Sequence, residues 1–247
     1  MKNTPWSLLA VCILLAGCGT PIQATPASTP EAISILYPAS LQPWADALSS
    51  CAVQYPEAAL YFFQRANPGE KISVNEIGLL LGQPADESTG LNLYQVGWEQ
   101  VVVIVNRENA LEKFSNAKLE QIFSGQVVSW ENGSDQPIQV WVLPDQEPTQ
   151  RIFTQALGLN MPFAPEARLA PDPLAVIKEV AEDEDAIGYL PQSYLNNPNL
   201  LGVSQIKTVQ LDPPMDQALH QPVIVIVKGE PTVTERNLLT CIQTTSP

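Results

Sequence analysis

The chain contains two uninterrupted runs of five β-branched residues, Val101–Val105 (VVVIV) and Val223–Val227 (VIVIV). Such runs are typical of strands that are buried on both faces, because no position in them is polar enough to face water. Shorter apolar runs alternate with helical patterns elsewhere, and there is no internal repeat. This alternation favours an α/β fold with mainly parallel strands.

The block between the two runs has its own strand and helix signals. Asn116 is the expected cap of a short helix, AKLEQIFS, that ends at Gly125. Residues 137–158 read as a strand, a turn and a helix, and Asp172 is the expected cap of the following helix. The arrangement predicts a second lobe inserted between two crossover strands.

Signals of the same kind flank this block. The stretch AISILYP reads as the first strand, and Ser40 is the expected N-cap of the first helix, with Pro43 in its first turn. Near the C-terminus, Thr232 and Glu235 have the spacing of a capping box. Both ends of the folded region are therefore expected to contain a helix that packs on the sheet.

The N-terminal stretch MKNTPWSLLAVCILLAGC is typical of a secretory signal. Its apolar run is too short for a transmembrane helix, and the small residues before Cys18 resemble a bacterial lipoprotein signal. We expect residues 1–17 to be removed, Cys18 to be lipidated and residues 18–32 to form a Pro- and Thr-rich linker. The alternative is an ordinary signal peptide cleaved nearby.

The overall charge is acidic, with 26 Asp and Glu against 12 Lys and Arg. Nucleic acids and anionic lipid surfaces bind through basic patches, so this balance argues against both as partners. The membrane is expected to be contacted through the lipid anchor alone.

Two cysteines remain in the expected mature domain, Cys51 and Cys241. Each lies on an apolar helical stripe, and an exported compartment favours their pairing as a disulfide. The alternative is two separate buried thiols that pack as small hydrophobic side chains.

Several segments together resemble a known family. LEQIFSGQVVSW (119–130), then a strand, turn and helix, then EVAEDEDAIGYLP (179–191), are similar to the phosphate-binding-like branch of the type 2 periplasmic-binding fold. EIGLLLGQP and EQVVVIVNREN also fit its cleft strand and first crossover. The resemblance covers residues 33–243, nearly all of the expected mature chain.

The resemblance implies two α/β lobes joined by two crossover strands, with a ligand held in the cleft between them. We expect one lobe to comprise residues 33–105 and 206–247, and the other to comprise residues 106–205. The implied function is that of a membrane-tethered, extracytoplasmic, monomeric solute-binding protein that serves an ABC permease. An alternative is a sensory or interaction module on the same fold, with a degenerate ligand site.

The turn before the helix at 148–158 departs from the phosphate-binding pattern. Phosphate-binding members of the family have approximately S-G-T-R there; aligned on the following Phe, this chain has Glu147, Pro148, Thr149 and Gln150. A carboxylate at an anion position repels the anion, and Pro148 has no N–H to donate. Phosphate is therefore expected to be disfavoured. The alternative for Glu147 is an acid that only stabilises the dipole of its own helix.

The expected ligand-binding residues are Ser40, Gln83, Thr149, Gln150 and Tyr189. Each also has a purely structural interpretation: a helix cap for Ser40, a surface turn for Gln83 and core packing for Tyr189. Arg151 follows the predicted ligand turn, and the sequence leaves its direction open.

Enzyme functions find no support in the motifs. The single histidine, His220, cannot form a zinc site without further His or Cys ligands, and there is no G-x-S-x-G elbow or phosphate-binding glycine loop. We expect no catalysis, no cofactor and no metal.

Overall fold

A computed structural model describes residues 29–84, 90–130, 136–158, 163–245 and 247. The predicted signal peptide, Cys18 and most of the predicted linker lie outside this range. Within it, no helix combines the length and apolar character needed to cross a bilayer. The strands are β1 Glu31–Tyr37, β2 Ala58–Gln64, β3 Glu76–Leu81, β4 Leu91–Asn106, β5 Lys113–Phe114, β6 Gln139–Val142, β7 Arg168–Leu169, β8 Ala186–Pro191, β9 Ile206–Thr208, β10 Gln210–Leu211 and β11 His220–Lys228.

Six α-helices lie among the described residues, each connecting strands or closing the chain. They are α1 Gln42–Ala52, α2 Asn116–Phe123, α3 Pro148–Leu157, α4 Pro173–Glu182, α5 Pro213–Ala218 and α6 Val233–Thr244. Short 3₁₀ helices occur at Ala39–Leu41, Pro68–Glu70, Gln192–Asn196 and Val203–Gln205.

The main sheet has the strand order β2-β1-β3-β11-β4-β8-β6-β7, and β9 also pairs with β4. Strands β1, β2 and β3 are parallel to one another, as are β6, β7 and β8. The two long crossover strands, β4 and β11, pair antiparallel with each other and with their other neighbours. The α/β prediction is confirmed, in a sheet that is parallel at its flanks and antiparallel at its centre.

The strand β4 is longer than the sequence run suggested. It begins at Leu91 and pairs with β11 over Leu91–Gln100, then with β8 over Val101–Val105. The valine-rich run that identified this strand is its second half, where five consecutive residues pack without a polar position. One continuous strand therefore connects the two ends of the sheet.

Buried side chains form two separate large cores. The first packs β1, β3 and β11 against α1 and α6, and includes Trp44, Val96 and Val223. The second packs β4, β6 and β8 against α2, α3 and α4, and includes Val101 and Leu219. We refer to the parts around these cores as lobe 1 and lobe 2. A small third cluster around Ile224 covers the opposite face of the lobe 1 sheet.

The cysteine prediction is confirmed, because Cys51 of α1 and Cys241 of α6 form a disulfide across 190 residues of chain. The two helices lie side by side, and both half-cystines are buried in the lobe 1 core. The disulfide thus fixes the first helix of the fold to the last.

The helix caps agree with the sequence for α4 and α6 and differ for α2 and for α1, whose start lies in the candidate functional site. The Asp172 side chain accepts a hydrogen bond from Ala175 N, and Thr232 and Glu235 form the predicted capping box. The cap of α2 is Ser115, which accepts from Lys118 N, and not Asn116. The predicted cap at Asn116 was wrong by one residue. Serine and asparagine both suit a cap position, but Ser115 has the extended backbone that a cap requires.

Gly97 lies on β4 where the strand passes under α1. A β-carbon built on Gly97 would lie 2.4 Å from Cη2 of Trp44. The large indole ring is 1% exposed and can occupy this position only because the strand carries no side chain there.

We predict that reduction of the Cys51–Cys241 disulfide destabilises the protein. In the chain-entropy argument, opening a loop of 190 residues removes up to about 5 kcal/mol from the free energy of unfolding. Thermal unfolding with and without reductant measures the loss, and the double variant Cys51→Ser/Cys241→Ser should show no response to reductant. Free, alkylatable thiols at both positions in the native protein would contradict the pairing.

A second prediction concerns the close approach at Gly97. Gly97→Ala should lower the free energy of unfolding by about 1–3 kcal/mol, because Trp44 and the strand must move apart. Gly69→Ala is the control, since its β-carbon would meet Ile226 Cδ1 at an ordinary 3.6 Å. Equal denaturation midpoints for the two variants would show that the Trp44 ring can be accommodated when residue 97 carries a β-carbon.

Candidate functional site

The start of the first helix and the first turn of α3 face each other across the two lobes. The 3₁₀ helix Ala39–Leu41 leads directly into α1, and Glu147 immediately precedes α3. The Glu147 carboxylate accepts hydrogen bonds from Ala39 N at 3.3 Å, Ser40 N at 3.1 Å and Ser40 Oγ at 2.5 Å. Two backbone N–H groups and a hydroxyl at a helix start form an arrangement suited to an anion, and here the anion is a side chain.

Ser40 does not cap α1 as the sequence suggested. Helix α1 begins at Gln42, its N-cap position is Leu41, and no side chain makes the cap hydrogen bond. The Ser40 hydroxyl is fully buried and donates to Glu147 instead. The cap prediction was wrong because the chain makes a 3₁₀ turn over Ala39–Leu41 first, which leaves Ser40 one residue before the N-cap position.

Glu147 also differs from the simpler interpretation of an acid that stabilises its own helix. It occupies the N-cap position of α3, yet its side chain makes no cap hydrogen bond there. The side chain is 6% exposed and is directed at the opposite lobe, whereas Asp145 in the same turn is exposed.

Two predicted ligand residues lie in the first turn of α3, next to Glu147. Thr149 is completely buried and Gln150 is 4% exposed. Thr149 Oγ1 and Gln150 Oε1 have no hydrogen-bond partner within the described part of the chain. Buried polar atoms are usually paired, so these two add unused hydrogen-bonding capacity beside the carboxylate.

Further buried polar contacts join the lobes on the other side of the α1 start. The Tyr194 hydroxyl donates to Ala39 O at 2.5 Å. Burial raises the pKa of Tyr194 above the ordinary range of a phenol, and the nearby carboxylates add to the rise. Trp44 Nε1 and Ser193 N donate to the two oxygens of Glu99, at 2.8 and 3.1 Å. Burial raises the pKa of Glu99 as well, and the bonds from Ser193 and Trp44 oppose that rise.

An open cavity of about 770 Å³ lies between the end of β3 and the part of α3 that begins at Arg151, one turn after Glu147. Its polar lining includes Gln83, Arg151, Gln155 and Gln221, together with Asn67 and Glu70. The structure thus settles the direction of Arg151, which the sequence left open. The Arg151 guanidinium makes no ion pair within the described residues. We call this space the outer pocket.

Tyr189 lies in the lobe 2 core and has no exposed surface. Its ring stacks on Phe153 with centroids 3.8 Å apart, and its hydroxyl accepts from Leu143 N at 3.2 Å. These contacts agree with the packing interpretation that the sequence left open for this residue.

The structure therefore brings Ser40, Thr149 and Gln150 together around Glu147, and places Gln83 in the neighbouring outer pocket. Among the described residues, no group of three or more His, Cys, Asp or Glu is placed to hold a metal. Sequence reasoning missed Tyr194 and the pairing of Glu99 with Trp44. No motif or spacing links these residues, which lie 55 to 155 positions from their partners.

Comparisons with known proteins agree with this architecture. A phosphate-binding protein PstS from Bacillus subtilis is 28% identical over 127 residues, which cover 49% of this chain and 42% of the relative. The match thus spans less than half of that relative's length. A substrate-binding protein from Clostridium perfringens, assigned to phosphate ABC transport and solved with bound phosphate, has a TM-score of 0.71 at 18% identity. It covers 85% of this chain and 92% of its own.

A different kind of protein shares the fold. The reduced regulatory domain of OxyR2 from Vibrio vulnificus has a TM-score of 0.60 at 13% identity, over 88% of this chain and 96% of its own. At these identities the likeness concerns the fold alone. The two-lobed type 2 periplasmic-binding architecture implied by the sequence is confirmed.

A family model described as "PBP superfamily domain" matches residues 82–233, which include all of β4, lobe 2 and β11. This span contains the Glu147 turn, Arg151 and both crossover strands, and it exceeds half of the chain. The chain belongs to the PBP superfamily.

Proposed function

We propose that this protein is a solute-binding protein that holds a small ligand between its lobes and presents it to an ABC importer. The observation that carries the proposal is the outer pocket, an open space of about 770 Å³ at the junction of the lobes. Its size lies within the range of small-molecule sites, about 300–1,000 Å³. Binding is non-covalent, with closure of the lobes as the mechanism, and no catalytic step is proposed.

The lining of the outer pocket indicates a polar ligand. Four amide side chains can donate and accept hydrogen bonds, while Arg151 supplies one positive charge and Glu70 one negative charge. We propose a small hydroxylated or amide-bearing solute. Phosphate itself is disfavoured, because Glu147 already takes the N–H donors that an oxyanion would need. Two similar proteins are described as phosphate-binding, which favours phosphate as a ligand. Phosphate is therefore included in the binding screen.

We propose that Gln83 binds the solute in the outer pocket, and that Ser40, Thr149 and Gln150 contribute from the adjoining buried site. Tyr189 was also predicted from the sequence. Because its ring is enclosed by the lobe 2 core, we propose that it supports the site by stacking on Phe153 of α3.

The cellular setting is also proposed. The protein would be an extracytoplasmic monomer, held at the cell membrane by a lipidated Cys18, with an ABC permease as its partner.

The lobe boundaries predicted from the sequence are residues 33–105 with 206–247 for one lobe and residues 106–205 for the other. We propose instead that the chain crosses between the lobes where the buried core changes, between Val96 and Val101 on β4 and between Leu219 and Val223 at the start of β11.

A second function has specific support, namely a sensory or interaction module with a degenerate ligand site. The helix-start donors of lobe 1 are occupied by Glu147, which leaves less of the cleft for a solute. The OxyR2 regulatory domain shares the fold, so the architecture is compatible with a regulatory role.

We predict that a thermal-shift screen of the mature domain finds a polar solute but not phosphate. A ligand at 100 times its dissociation constant adds about 2.7 kcal/mol to the free energy of unfolding, a shift of several degrees. Arg151→Met should weaken that shift without changing the melting temperature of the ligand-free protein, since the guanidinium forms no ion pair within the described part of the chain.

The outcomes of the screen separate the candidates. A large shift with inorganic phosphate would overturn the phosphate proposal and retain the solute-binding role. No shift with sugars, amino acids, metals or oxyanions would favour the sensory or interaction module.

A further inference from the structure

We propose that Glu147 is an internal ligand of the cleft: its carboxylate occupies an oxyanion site at the start of α1 and joins the two lobes. The proposal deepens the proposed function and rests on its assignment of the inter-lobe cleft as the ligand site. It adds that this chain fills its own anion site, and that a single substitution should convert the protein into an oxyanion binder.

The donors have the character of an anion site. Ala39 N and Ser40 N belong to successive residues at the start of a 3₁₀ turn that continues into the eleven-residue helix α1. Their N–H groups are not used within the helix, so the positive end of the helix dipole faces whatever binds there. The Ser40 hydroxyl adds a third donor.

The occupant comes from the opposite lobe. Glu147 lies 107 residues from Ser40 in sequence, at the N-cap of a helix that packs in the lobe 2 core. Ile152, one turn further along α3, contacts both cores. The carboxylate contact therefore bridges the lobes, and we call it the Glu147 bridge.

The surroundings show that this is a binding site and not a simple surface contact. Ser40, Thr149 and Gln150 are each at least nine-tenths buried. Thr149 Oγ1, Gln150 Oε1 and Ser193 Oγ have no hydrogen-bond partner among the described residues. Thr149 and Gln150 follow Glu147 closely, and Ser193 precedes Tyr194, whose hydroxyl binds Ala39 O. Thr149 Oγ1 and Gln150 Oε1, in the turn that carries Glu147, are therefore available to a bound group.

The chemistry predicts which ligands can enter. An oxyanion at the α1 start would compete with Glu147 for the same donors and would lie within a few ångströms of a like charge. A neutral polar solute in the outer pocket is not repelled by the Glu147 carboxylate and does not compete for these donors. Removal of the carboxylate should leave the donors free for an inorganic oxyanion.

The experiment compares Glu147→Ser with Asp145→Ser. Both substitutions remove one negative charge from the same turn, but Asp145 is exposed, and the described hydrogen bonds to the α1 start come from Glu147. Inorganic phosphate and sulfate are titrated by calorimetry in a buffer free of both. Glu147→Ser should bind at least one of them about tenfold or more tightly than wild type and Asp145→Ser do, because charge-assisted hydrogen bonds are strong and directional.

A folded Glu147→Ser protein that binds these anions no better than Asp145→Ser overturns the proposal. A second measurement does not depend on whether the variant folds, because it follows hydrogen exchange of the Ala39 and Ser40 amides in the wild-type protein. Their protection should be present without anions and unchanged by millimolar phosphate or sulfate. An increase in that protection on adding phosphate also overturns the proposal.

The solute screen and this experiment can fail separately. The screen asks whether the wild-type protein binds a small polar molecule, whereas the titration asks whether a variant gains an oxyanion. A wild-type protein without a solute can still carry the Glu147 bridge, and a solute-binding protein can lack it.

Discussion

The Glu147 carboxylate lies against two backbone N–H groups and a hydroxyl that belong to the opposite lobe. A helix start that lacks a side-chain cap needs a partner for its free N–H groups, and a buried carboxylate needs donors. The N–H groups of lobe 1 and the carboxylate of lobe 2 can form these hydrogen bonds only when the two lobes are in contact. The geometry of the cleft follows from this mutual requirement, and the outer pocket is the space that remains beside it.

Lobe 1 holds the donor side of this contact in place through several independent constraints. The Cys51–Cys241 disulfide fixes α1 to α6, and the absence of a side chain at Gly97 allows the Trp44 ring to lie on β4. That ring in turn donates to Glu99, whose other oxygen accepts from lobe 2. The first helix is thereby positioned relative to both the sheet and the opposite lobe.

The sequence predicted the fold and part of the site for identifiable reasons. Continuous branched runs, capping residues and two half-cystines are local signals, and these predictions are confirmed apart from the caps of α1 and α2. Ser40 was misread because a 3₁₀ turn cannot be distinguished from a helix start by composition. The partners of Glu147 and Glu99 depend on how distant segments meet, which no local pattern specifies. The direction of Arg151 was undetermined for the same reason.

The most direct test of the account is small-angle scattering of the ligand-free mature domain, with wild type and Glu147→Ser compared at equal concentration. If the Glu147 bridge holds the lobes together, the wild-type profile should match the structure in which Glu147 contacts the α1 start, without any ligand. The variant should have a larger radius of gyration, because lobe opening is then resisted only by the remaining contacts. A wild-type domain as expanded as the variant would contradict the account.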